Sequence, residues 1–551
     1  MKDLKDWLST GEYLGNLDGD GWVAAALHST LAPAACNSIG SSEVFLERER
    51  EREREVFNYM AISDDIQRYM PSAADRVAPR CSPLAYKEAV LLVDPMEPQF
   101  KREVDDKYEY SLDNKDNAVQ GWIRGSRSRS RTRTRTNPAM GFWVITPSNE
   151  FKSGGPMKQE LTSHVGPVSM AVFLGTHYTG IDIMLNLGDG EYWKKVMGPV
   201  FIYLNSSPNN GSDSRALWDD AKAQARAEAG NWPYSFPESP DFAKAGDRGT
   251  VTGTLLVRDA FASKGGDVPA ATAFVGLAAP GGQPGSWATQ CKGYQFWTRA
   301  TASGRFSIGG VRAGTYSLDA WVPRFLGDYV HTSTVTVTPG AAVDLGSLVF
   351  VPPRSGPTLW EIGVPDRTAA EFFVPDADPR YASKLFVGKD GYRQYGLWER
   401  YAELHPAGND LVFTVGQSDY SKDWFFAHVT RMDGNVSTPT TRQIRFNLDH
   451  VVANGTYTLR CSCSCLNVQT HVRVNGRVAR EAVFSTPEFG NGNAITRHGI
   501  HGGVQWSFEF PIRGYLLRQG ENSISITQTM AFGPFLGVMY DYLRLEGPPP
   551  A

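Results

Sequence analysis

The chain has 551 residues, of which 12% are aromatic, and a formal net charge of −4. At roughly 150 residues per domain, this length predicts three or four domains. The slightly acidic balance argues against a nucleic-acid partner. No run of about 18 apolar residues occurs, so we expect no membrane-spanning helix. The mixed charge at the N-terminus is not typical of a signal peptide.

Two dipeptide tracts stand apart from the rest of the chain. Residues 1–55 have little apolar periodicity and end in alternating charges from Glu47 to Glu55, which predicts an atypical segment that is disordered or helical. A serine–arginine and threonine–arginine tract runs from Ser126 to Thr136. Because it is short and lies in a strand-rich region, we interpret it as a solvated loop.

Residues 56–247 alternate short apolar runs with turn residues, which predicts a first β-rich domain. The strand-like stretches are MGFWVITPSNEF, PVSMAVFLGTHYTG and MGPVFIYLNSS. One helix is predicted in SRALWDDAKAQARAEAGNW, where Leu217, Ala221 and Ala225 share a face and Gly230 marks the end.

A second unit, residues 248–352, begins at RGTVTGTLLVRD. In GRFSIGGVRAGTYSLDAWV the alternation predicts an antiparallel hairpin of a small β-sandwich, connected through its glycines. The prolines of VFVPPRSGPTLW then predict a linker. Many short strands in residues 357–548 predict a jelly roll.

Cys461, Cys463 and Cys465 alternate with serines, so in a strand all three would point to one face. Such neighbours could bind a soft metal, but no second cysteine or histidine cluster accompanies them. We therefore interpret them as small core residues.

The chain lacks the G-x-S-x-G, H-E-x-x-H and G-x-x-x-x-G-K patterns. Polar residues between positions 64 and 178 remain as candidates for chemistry, and the sharpest stretch is FLGTHYTG, which contains His177 and Tyr178. A histidine there can lie at a strand end over a cleft. It can equally be a structural histidine bonded to a backbone carbonyl.

From Val56 onward the chain resembles the plant-type rhamnogalacturonan lyases of polysaccharide lyase family four. The stretches that carry the resemblance are YMAISD, PLAYKEAVLL, EVDDKYEYSLDNKDN, GFWVITPSNEFKSGGPMKQELTSHVGP, GTHYTG, WKKVMGPVFIYLNS, LWEIGVPDRTAAEFF, YRQYGLWERY, SDYSKDWFFAHVTR and NAITRHGIHG. The resemblance implies an all-β architecture: a β-super-sandwich, a fibronectin-type-III-like domain and a carbohydrate-binding-module-like jelly roll.

The same resemblance implies β-elimination at the rhamnose-(1→4)-galacturonate linkage of rhamnogalacturonan I. By motif position Lys107 resembles the base and His177 the acid, with no cofactor for the chemistry. Arg68 resembles an arginine that meets the substrate carboxylate. Further substrate-binding residues implied by position are Tyr178, Lys158 and His164.

Lys107 lies among acidic residues, which normally hold a lysine in its protonated form. A base at this position requires a lowered pKa, hence a nearby cation such as Arg68. Asp105 and Glu109 would share the face of Lys107 in a strand and oppose that shift.

Two departures from the family pattern bear on activity. Gln120 stands in VQGW where the family has histidine, and residues 1–55 do not resemble the family's N-terminal strands. We therefore expect a truncated catalytic unit with little or no lyase activity. A non-catalytic pectin-binding protein is the alternative.

In the C-terminal unit, Trp398 and Trp424 are candidates for weak sugar stacking, and Asp541 is a weak candidate for a structural calcium. The resemblance implies pectic polysaccharide as the partner, an extracellular or cell-wall location and a monomer, without nucleic acid or membrane.

Overall fold

A computed structural model describes residues 23–27, 59–63, 66–69, 73–83, 89–96, 98, 101, 104–106, 108–110, 118–124, 139–157, 161–163, 168–169, 185–207, 214–261, 266–369, 371–375, 397–434, 436–491, 504–533 and 536–550. For some of these residues in strands and helices only the backbone is described. Strands dominate throughout, which confirms the all-β prediction. No helix within these ranges is long and apolar enough to cross a membrane.

The N-terminal third contains a broad sheet and two small ones. Its strands are β1 (Val23–Leu27), β2 (Tyr59–Ser63), β3 (Ile66–Tyr69), β4 (Cys81–Pro83), β5 (Ala89–Leu92), β6 (Val104–Asp106), β7 (Tyr108–Tyr110), β8 (Val119–Arg124), β9 (Met140–Ile145), β10 (Leu161–Ser163), β11 (Val168–Ser169) and β12 (Met197–Ser206). The six-stranded sheet has the order β1-β12-β9-β8-β2-β3. The three-stranded sheets are β4-β5-β6 and β11-β10-β7.

One face of the six-stranded sheet is covered by helix α1 (Ser214–Asn231), as its apolar periodicity predicts. Leu217, Ala221 and Ala225 are buried against the sheet. The rings of Trp143 on β9 and Trp218 on α1 lie 5.3 Å apart at the centre of this layer. The opposite face of the sheet is therefore the face available to other elements.

For Val23–Leu27 alone, strand β1 corrects the expectation of a disordered or helical N-terminal segment. Val23–Leu27 pairs antiparallel with β12, with Val23 opposite Ile202 and Ala25 opposite Val200. At this position the apolar run VAAAL satisfies the backbone groups along the edge of β12. The rest of residues 1–55, including the Glu–Arg tract, lies outside the described residues.

The second unit is a sandwich of two sheets. Its strands are β13 (Arg248–Val257), β14 (Val268–Pro269), β15 (Phe274–Ala278), β16 (Phe296–Arg299), β17 (Arg305–Arg312), β18 (Gly314–Trp321), β19 (Tyr329–Val330), β20 (Val335–Val337) and β21 (Ala342–Phe350). One sheet has the order β14-β13-β17, with β21 also paired to β13. The other has the order β16-β15-β18-β19, with β20 also paired to β18.

Strands β17 and β18 do not form the predicted hairpin, because they belong to opposite sheets. β17 pairs with β13, whereas β18 pairs with β15, β19 and β20. The alternation was interpreted correctly: Phe306, Ile308, Tyr316 and Leu318 are all buried between the sheets. Gly309 and Gly310 form a bulge inside β17, where Gly310 has φ +64°, and are not the connection.

The third unit is a second, larger sandwich. Its strands are β22 (Thr358–Gly363), β23 (Val412–Thr414), β24 (His428–Val429), β25 (Arg431–Asp433), β26 (Val436–Thr438), β27 (Thr440–Leu448), β28 (Thr456–Val468), β29 (Thr470–Val474), β30 (Val483–Ser485), β31 (Phe489–Asn491), β32 (Trp506–Arg513), β33 (Gly520–Gln528) and β34 (Gly537–Glu546). One sheet has the order β22-β34-β28-β31, joined by β24 and β32, and faces the sheet β23-β27-β33-β29-β30. Cys461, Cys463 and Cys465 are buried in its core, as predicted.

The remaining helices are short. They are α2 (Tyr401–Leu404) and α3 (Tyr420–Asp423), with 3-10 turns at Ala73–Arg76, Gly155–Met157, Ala245–Asp247, Ser286–Ala288, Leu397–Arg400, Arg480–Ala482 and Gly514–Leu516. Between β21 and β22, residues 351–357 have no regular structure, consistent with the predicted proline-containing linker.

Candidate active site

The candidate base, Lys107, falls between two strands that belong to different sheets. β6 ends at Asp106, which lies opposite Ala89 of β5, and β7 begins at Tyr108, which lies opposite Ser163 of β10. Lys107 itself is outside the described residues. The chain therefore leaves the sheet β4-β5-β6 at Asp106 and enters the sheet β11-β10-β7 at Tyr108.

The pairing of β7 with β10 also concerns His164. Ser163, which precedes His164 in sequence, lies directly opposite Tyr108, which follows Lys107. Directly opposite residues of an antiparallel pair have Cα atoms about 4.5–5.5 Å apart. The structure thus brings the chain neighbours of two predicted site residues together, although Lys107 and His164 are outside the described residues.

Arg68 lies in β3, opposite Met60 of β2, which in turn lies opposite Trp122 of β8. Of Arg68 only the backbone is described. The Trp122 ring is fully buried, and because side chains alternate along a strand it lies on the face away from helix α1. By this register, Arg68 occupies the same row across the sheet as Met60 and Trp122.

Asp105, one of the residues expected to oppose a base at position 107, is buried and already paired. Its carboxylate forms an ion pair with the Arg76 guanidinium, which also donates to the Asp105 carbonyl at 2.7 Å. Asp75 next to Arg76 is also buried; it accepts from the backbone N–H of Met96 at 2.8 Å and lies 3.8 Å from Arg80. The paired charge of Asp105 therefore favours the protonated form of a neighbouring lysine less than a lone carboxylate would.

The segment that leads to Lys158 is anchored by a buried carboxylate that the sequence did not reveal. Glu150 accepts from Arg248 at 2.6 Å and from Arg312 at 3.0 Å, and all three residues are buried. The two arginines belong to β13 and β17 of the second unit. No sequence pattern signals such a pairing, because Glu150 and Arg312 are 162 positions apart.

Three other predicted residues of this region, Lys158, His177 and Tyr178, lie outside the described residues. Their placement stays a prediction. Gln120, the expected departure from the family pattern, is buried in β8 opposite Val144 of β9.

The two candidate sugar-stacking tryptophans are core residues, which corrects that expectation. Trp424 is fully buried beneath the Arg442 guanidinium, which lies 4.6 Å from its ring centroid. Trp398 is 5% exposed and belongs to the same core. A ring without an exposed face offers no surface to a sugar, and sequence alone does not distinguish it from an exposed aromatic residue.

Asp541, the weak calcium candidate, is surrounded by hydrogen-bond donors. One carboxylate oxygen accepts from the backbone N–H groups of Asp366 at 2.9 Å and Arg367 at 2.7 Å. The other accepts from Ser462 at 3.0 Å and Gln505 at 2.9 Å. Calcium requires six to eight oxygen ligands, so these surroundings do not fit the ion. Among the described residues no group of three or more metal-ligating side chains occurs.

Comparison with known families assigns three segments in chain order. Residues 50–104 match the rhamnogalacturonate lyase family, residues 270–345 match polysaccharide lyase family 4 domain II, and residues 358–545 match domain III of the same family. The chain belongs to polysaccharide lyase family 4. The matched domains II and III correspond to the two sandwiches that the structure places after the first unit.

Curated relatives agree with this family assignment. The chain is 27% identical to the rhamnogalacturonate lyase of Dickeya dadantii over 416 residues, which cover 74% of this chain and 61% of that protein. It is 24% identical to the probable rhamnogalacturonate lyase B of Aspergillus flavus, covering 62% of this chain and 49% of the relative. The family 4 chain thus spans about half to three fifths of the length of these relatives.

Proposed function

We propose that this family 4 chain is a rhamnogalacturonan lyase that cleaves the rhamnose-(1→4)-galacturonate linkage by β-elimination, at the bond between C4 of galacturonate and the glycosidic oxygen. The observation that carries the proposal is the ordered match of three chain segments to this family, together with relatives named rhamnogalacturonate lyases. We also propose that the chain acts outside the cell as a monomer on pectic polysaccharide.

In the proposed reaction a base removes the proton on C5 of galacturonate. The electron pair left on C5 forms the C4–C5 double bond as the bond from C4 to the glycosidic oxygen breaks. An acid gives that oxygen a proton, so the products are a rhamnose hydroxyl and a 4,5-unsaturated uronate. Negative charge that develops on the uronate carboxylate requires stabilisation by fixed cations.

Lys107 is assigned as the base, His177 as the acid and Arg68 as the partner of the carboxylate. The register of β7 and β10 supports the addition of His164 to this site, because its chain neighbour lies opposite the neighbour of Lys107. The Arg76–Asp105 ion pair supports a lysine base, since it neutralises a carboxylate close in sequence. Lys158 and Tyr178 are proposed to bind the polysaccharide.

The test is elimination on rhamnogalacturonan, followed by the ultraviolet absorbance of the unsaturated product. Lys107→Met and His177→Gln should each reduce turnover by at least about a hundredfold, the usual contribution of a positioned acid or base. Lys422→Met is the matched control, because Lys422 is exposed on α3 of the third unit. Equal turnover by all four proteins would refute the assignment.

The expectation of little or no activity that the sequence raised is the opposite of this proposal, and the same assay decides between them. A wild-type chain that produces no unsaturated uronate would refute the proposed lyase and favour a binding role. In that case retention of the chain in rhamnogalacturonan gels is the relevant measurement.

A further inference from the structure

A cavity of about 270 Å³ lies between the first and second units. One wall is the chain segment before Lys158, and the other wall is formed by β16 and β17. The lining residues are Ser148, Asn149, Glu150, Lys152, Gly155, Gln295, Phe296, Trp297, Thr298, Ser307, Ile308 and Gly309. Ser307 and Gly309 are exposed while Lys152 and Gln295 are buried, so the cavity has a solvent-accessible rim and a buried floor.

The two strands of the wall are edge strands. β16 pairs with β15 alone and β17 with β13 alone within the described residues of the second unit. Their outer edges present backbone N–H and C=O groups that can bond to a ligand. Directly before β16, the backbone N–H of Gln295 already donates to the Glu150 carbonyl at 3.0 Å, so this group is not available to a ligand.

Positive charge outweighs negative charge among the described groups around the floor. Lys152 is 8% exposed and lines the cavity. The Glu150 carboxylate is paired with two cations, Arg248 and Arg312. A cavity with this balance favours an anionic ligand.

An aromatic ring supplies a further surface. Trp297 is half-buried, and its ring covers Gly276 on the neighbouring strand, where an added Cβ would lie 2.3 Å from the ring. The indole N–H donates to the Gln295 side chain at 2.8 Å, and the ring packs edge to face with Trp287 at a centroid distance of 4.8 Å. These contacts fix the ring orientation, so a ligand meets only the part of the ring that stays exposed. A fixed ring beside hydroxyl, amide and ammonium groups suits a sugar, because a sugar has both apolar C–H faces and hydroxyl groups.

We propose that this cavity binds a single uronate residue of an acidic polysaccharide, and the described residues of its lining include none of those assigned to elimination. The uronate carboxylate meets Lys152, its hydroxyl groups meet the edges of β16 and β17 and the rim at Ser307, and its ring lies against Trp297. The choice of a uronate rests on the proposed function. The cavity volume, charge and ring do not depend on it.

The experiment uses the full chain labelled with 5-fluorotryptophan. The fluorine resonance of residue 297 is identified by its loss in Trp297→Phe. Sodium galacturonate should shift that resonance, while galactose, which lacks the carboxylate, and sodium acetate, which lacks the sugar ring, should shift it at least about tenfold more weakly at equal concentration. A resonance that does not respond to galacturonate, or that responds equally to galactose, overturns the proposal.

Two variants test the charge. Lys152→Met removes the cation, and Ser307→Asp adds a negative charge at the exposed rim without altering the buried floor. Each should weaken the galacturonate response of residue 297 by about tenfold, whereas Lys422→Met should not. An unchanged response in Ser307→Asp and in a folded Lys152→Met overturns the proposal.

The elimination assay on the same preparations separates the two proposals. Elimination without a galacturonate response at residue 297 refutes the cavity proposal and leaves the proposed lyase standing. A response without elimination refutes the proposed lyase and supports the cavity as a uronate site.

Discussion

At the scale of single residues, the buried carboxylate of Glu150 joins two units of the molecule. Its oxygens lie 2.6 Å from Arg248 and 3.0 Å from Arg312, and the Arg248 side chain also donates to the carbonyls of Ala243 and Gly310. Burial of three charges is tolerated only where each is paired and hydrogen-bonded. Removal of the one negative charge therefore leaves two buried cations without compensation.

We expect Glu150→Gln to lower the free energy of unfolding by about 3–5 kcal/mol, the usual cost of breaking a buried ion pair. Chemical denaturation of the full chain is the measurement. Glu191→Gln is the matched control: Glu191 forms an ion pair with Lys292 at the surface, where solvent screens the charges. The control should unfold like the wild type, and a Glu150→Gln protein that did the same would contradict the buried-pair interpretation.

Residue identity predicted burial better for cysteines than for aromatic residues. Alternation with serine correctly indicated that the three cysteines of β28 face the core. Trp398 and Trp424 could not be assigned in this way, because tryptophan is common both in cores and on sugar-binding surfaces. Asn205 illustrates the same limit. Its side chain accepts from the Trp143 indole at 2.8 Å and donates to the Leu217 carbonyl, contacts that the residue type alone does not predict.

At the scale of elements, alternation predicted strands but not their partners. The run from Arg305 to Trp321 has the pattern of two strands, and both exist as β17 and β18. The pattern cannot indicate that Ala313 connects two sheets. In a sandwich, strands of either sheet bury every second side chain, so the alternation is the same whichever sheet a strand joins. Helix α1 was predictable because its apolar residues recur about every 3.6 positions, a spacing that indicates an amphipathic α-helix.

The turn at Gly155 shows how an element depends on the absence of a side chain. Gly155 has φ +67°, and a Cβ at this position would lie 2.3 Å from ring carbons of Trp287 in the second unit. Gly190 has φ +75°, and a Cβ added there would point into open space, with no atom of the described residues within 4 Å. The two glycines therefore share a left-handed backbone and differ in packing.

We expect Gly190→Ala to cost about 1–2 kcal/mol of stability, the penalty of the left-handed conformation alone. Gly155→Ala should cost about 1–3 kcal/mol more, because the methyl group displaces the Trp287 ring. Thermal unfolding of the two variants beside the wild type measures the difference. If both variants unfolded at the same temperature, close packing at Gly155 would not be the cause.

Buried carboxyl groups bind the backbone of a loop in the third unit, which is described at residues 364–369 and 371–372. Burial, reinforced by Asp366, raises the pKa of Asp541 to about 7. Burial also raises the pKa of Glu371 to about 8, and both Asp366 and Asp541 add to that shift. The folded state therefore retains protons that the unfolded chain loses from about pH 4 upward.

Because the folded-state pKa of Asp541 is raised, the contribution of this group to stability is fully present below about pH 4 and is lost as the pH rises towards about 7. Each proton retained in this window contributes roughly 1.4 kcal/mol per pH unit. Asp541→Asn removes one titrating group while its side-chain oxygen still accepts the N–H groups of Asp366 and Arg367. Calorimetry of the full chain across this range should show a flatter pH dependence for Asp541→Asn, and parallel curves would contradict the assignment.

At the scale of the whole molecule, charged residues far apart in sequence connect the units. Besides Glu150, the buried Glu546 at the end of β34 lies 2.6 Å from Arg544 and 3.1 Å from Arg460, and accepts from the N–H of Ser355 in the linker. Family resemblance predicted the order of the three units. These contacts could not be predicted, since Ser355 and Glu546 are 191 positions apart.

Arg367 forms the contact between the second and third units that is most open to test. Its guanidinium donates to Asp328 at 2.6 Å and lies 5.2 Å and 5.0 Å from the ring centroids of Trp287 and Trp321. The backbone at Arg367 has φ +65° and is held by its N–H bond to Asp541. The third unit thus presents a fixed cation to a site on the second unit that offers a carboxylate and two aromatic rings.

We expect Arg367→Met to weaken this contact by about 1.4 kcal/mol or more, because it removes the ion pair and the cation–π attraction while retaining the apolar stem. Separation of the units should expose the linker, where trypsin can cleave after Arg354. In the folded chain that position is protected, since Arg354 pairs with Asp259 at 2.9 Å and Ser355 bonds to Glu546. Cleavage at Arg354 should therefore become about tenfold faster, as the population of the open state rises by that factor.

Arg477→Met, at an exposed position of the third unit, is the matched control, and this variant should be cleaved after Arg354 at the wild-type rate. A cleavage rate of Arg367→Met equal to that of the control would show that the linker contacts alone hold the two units together.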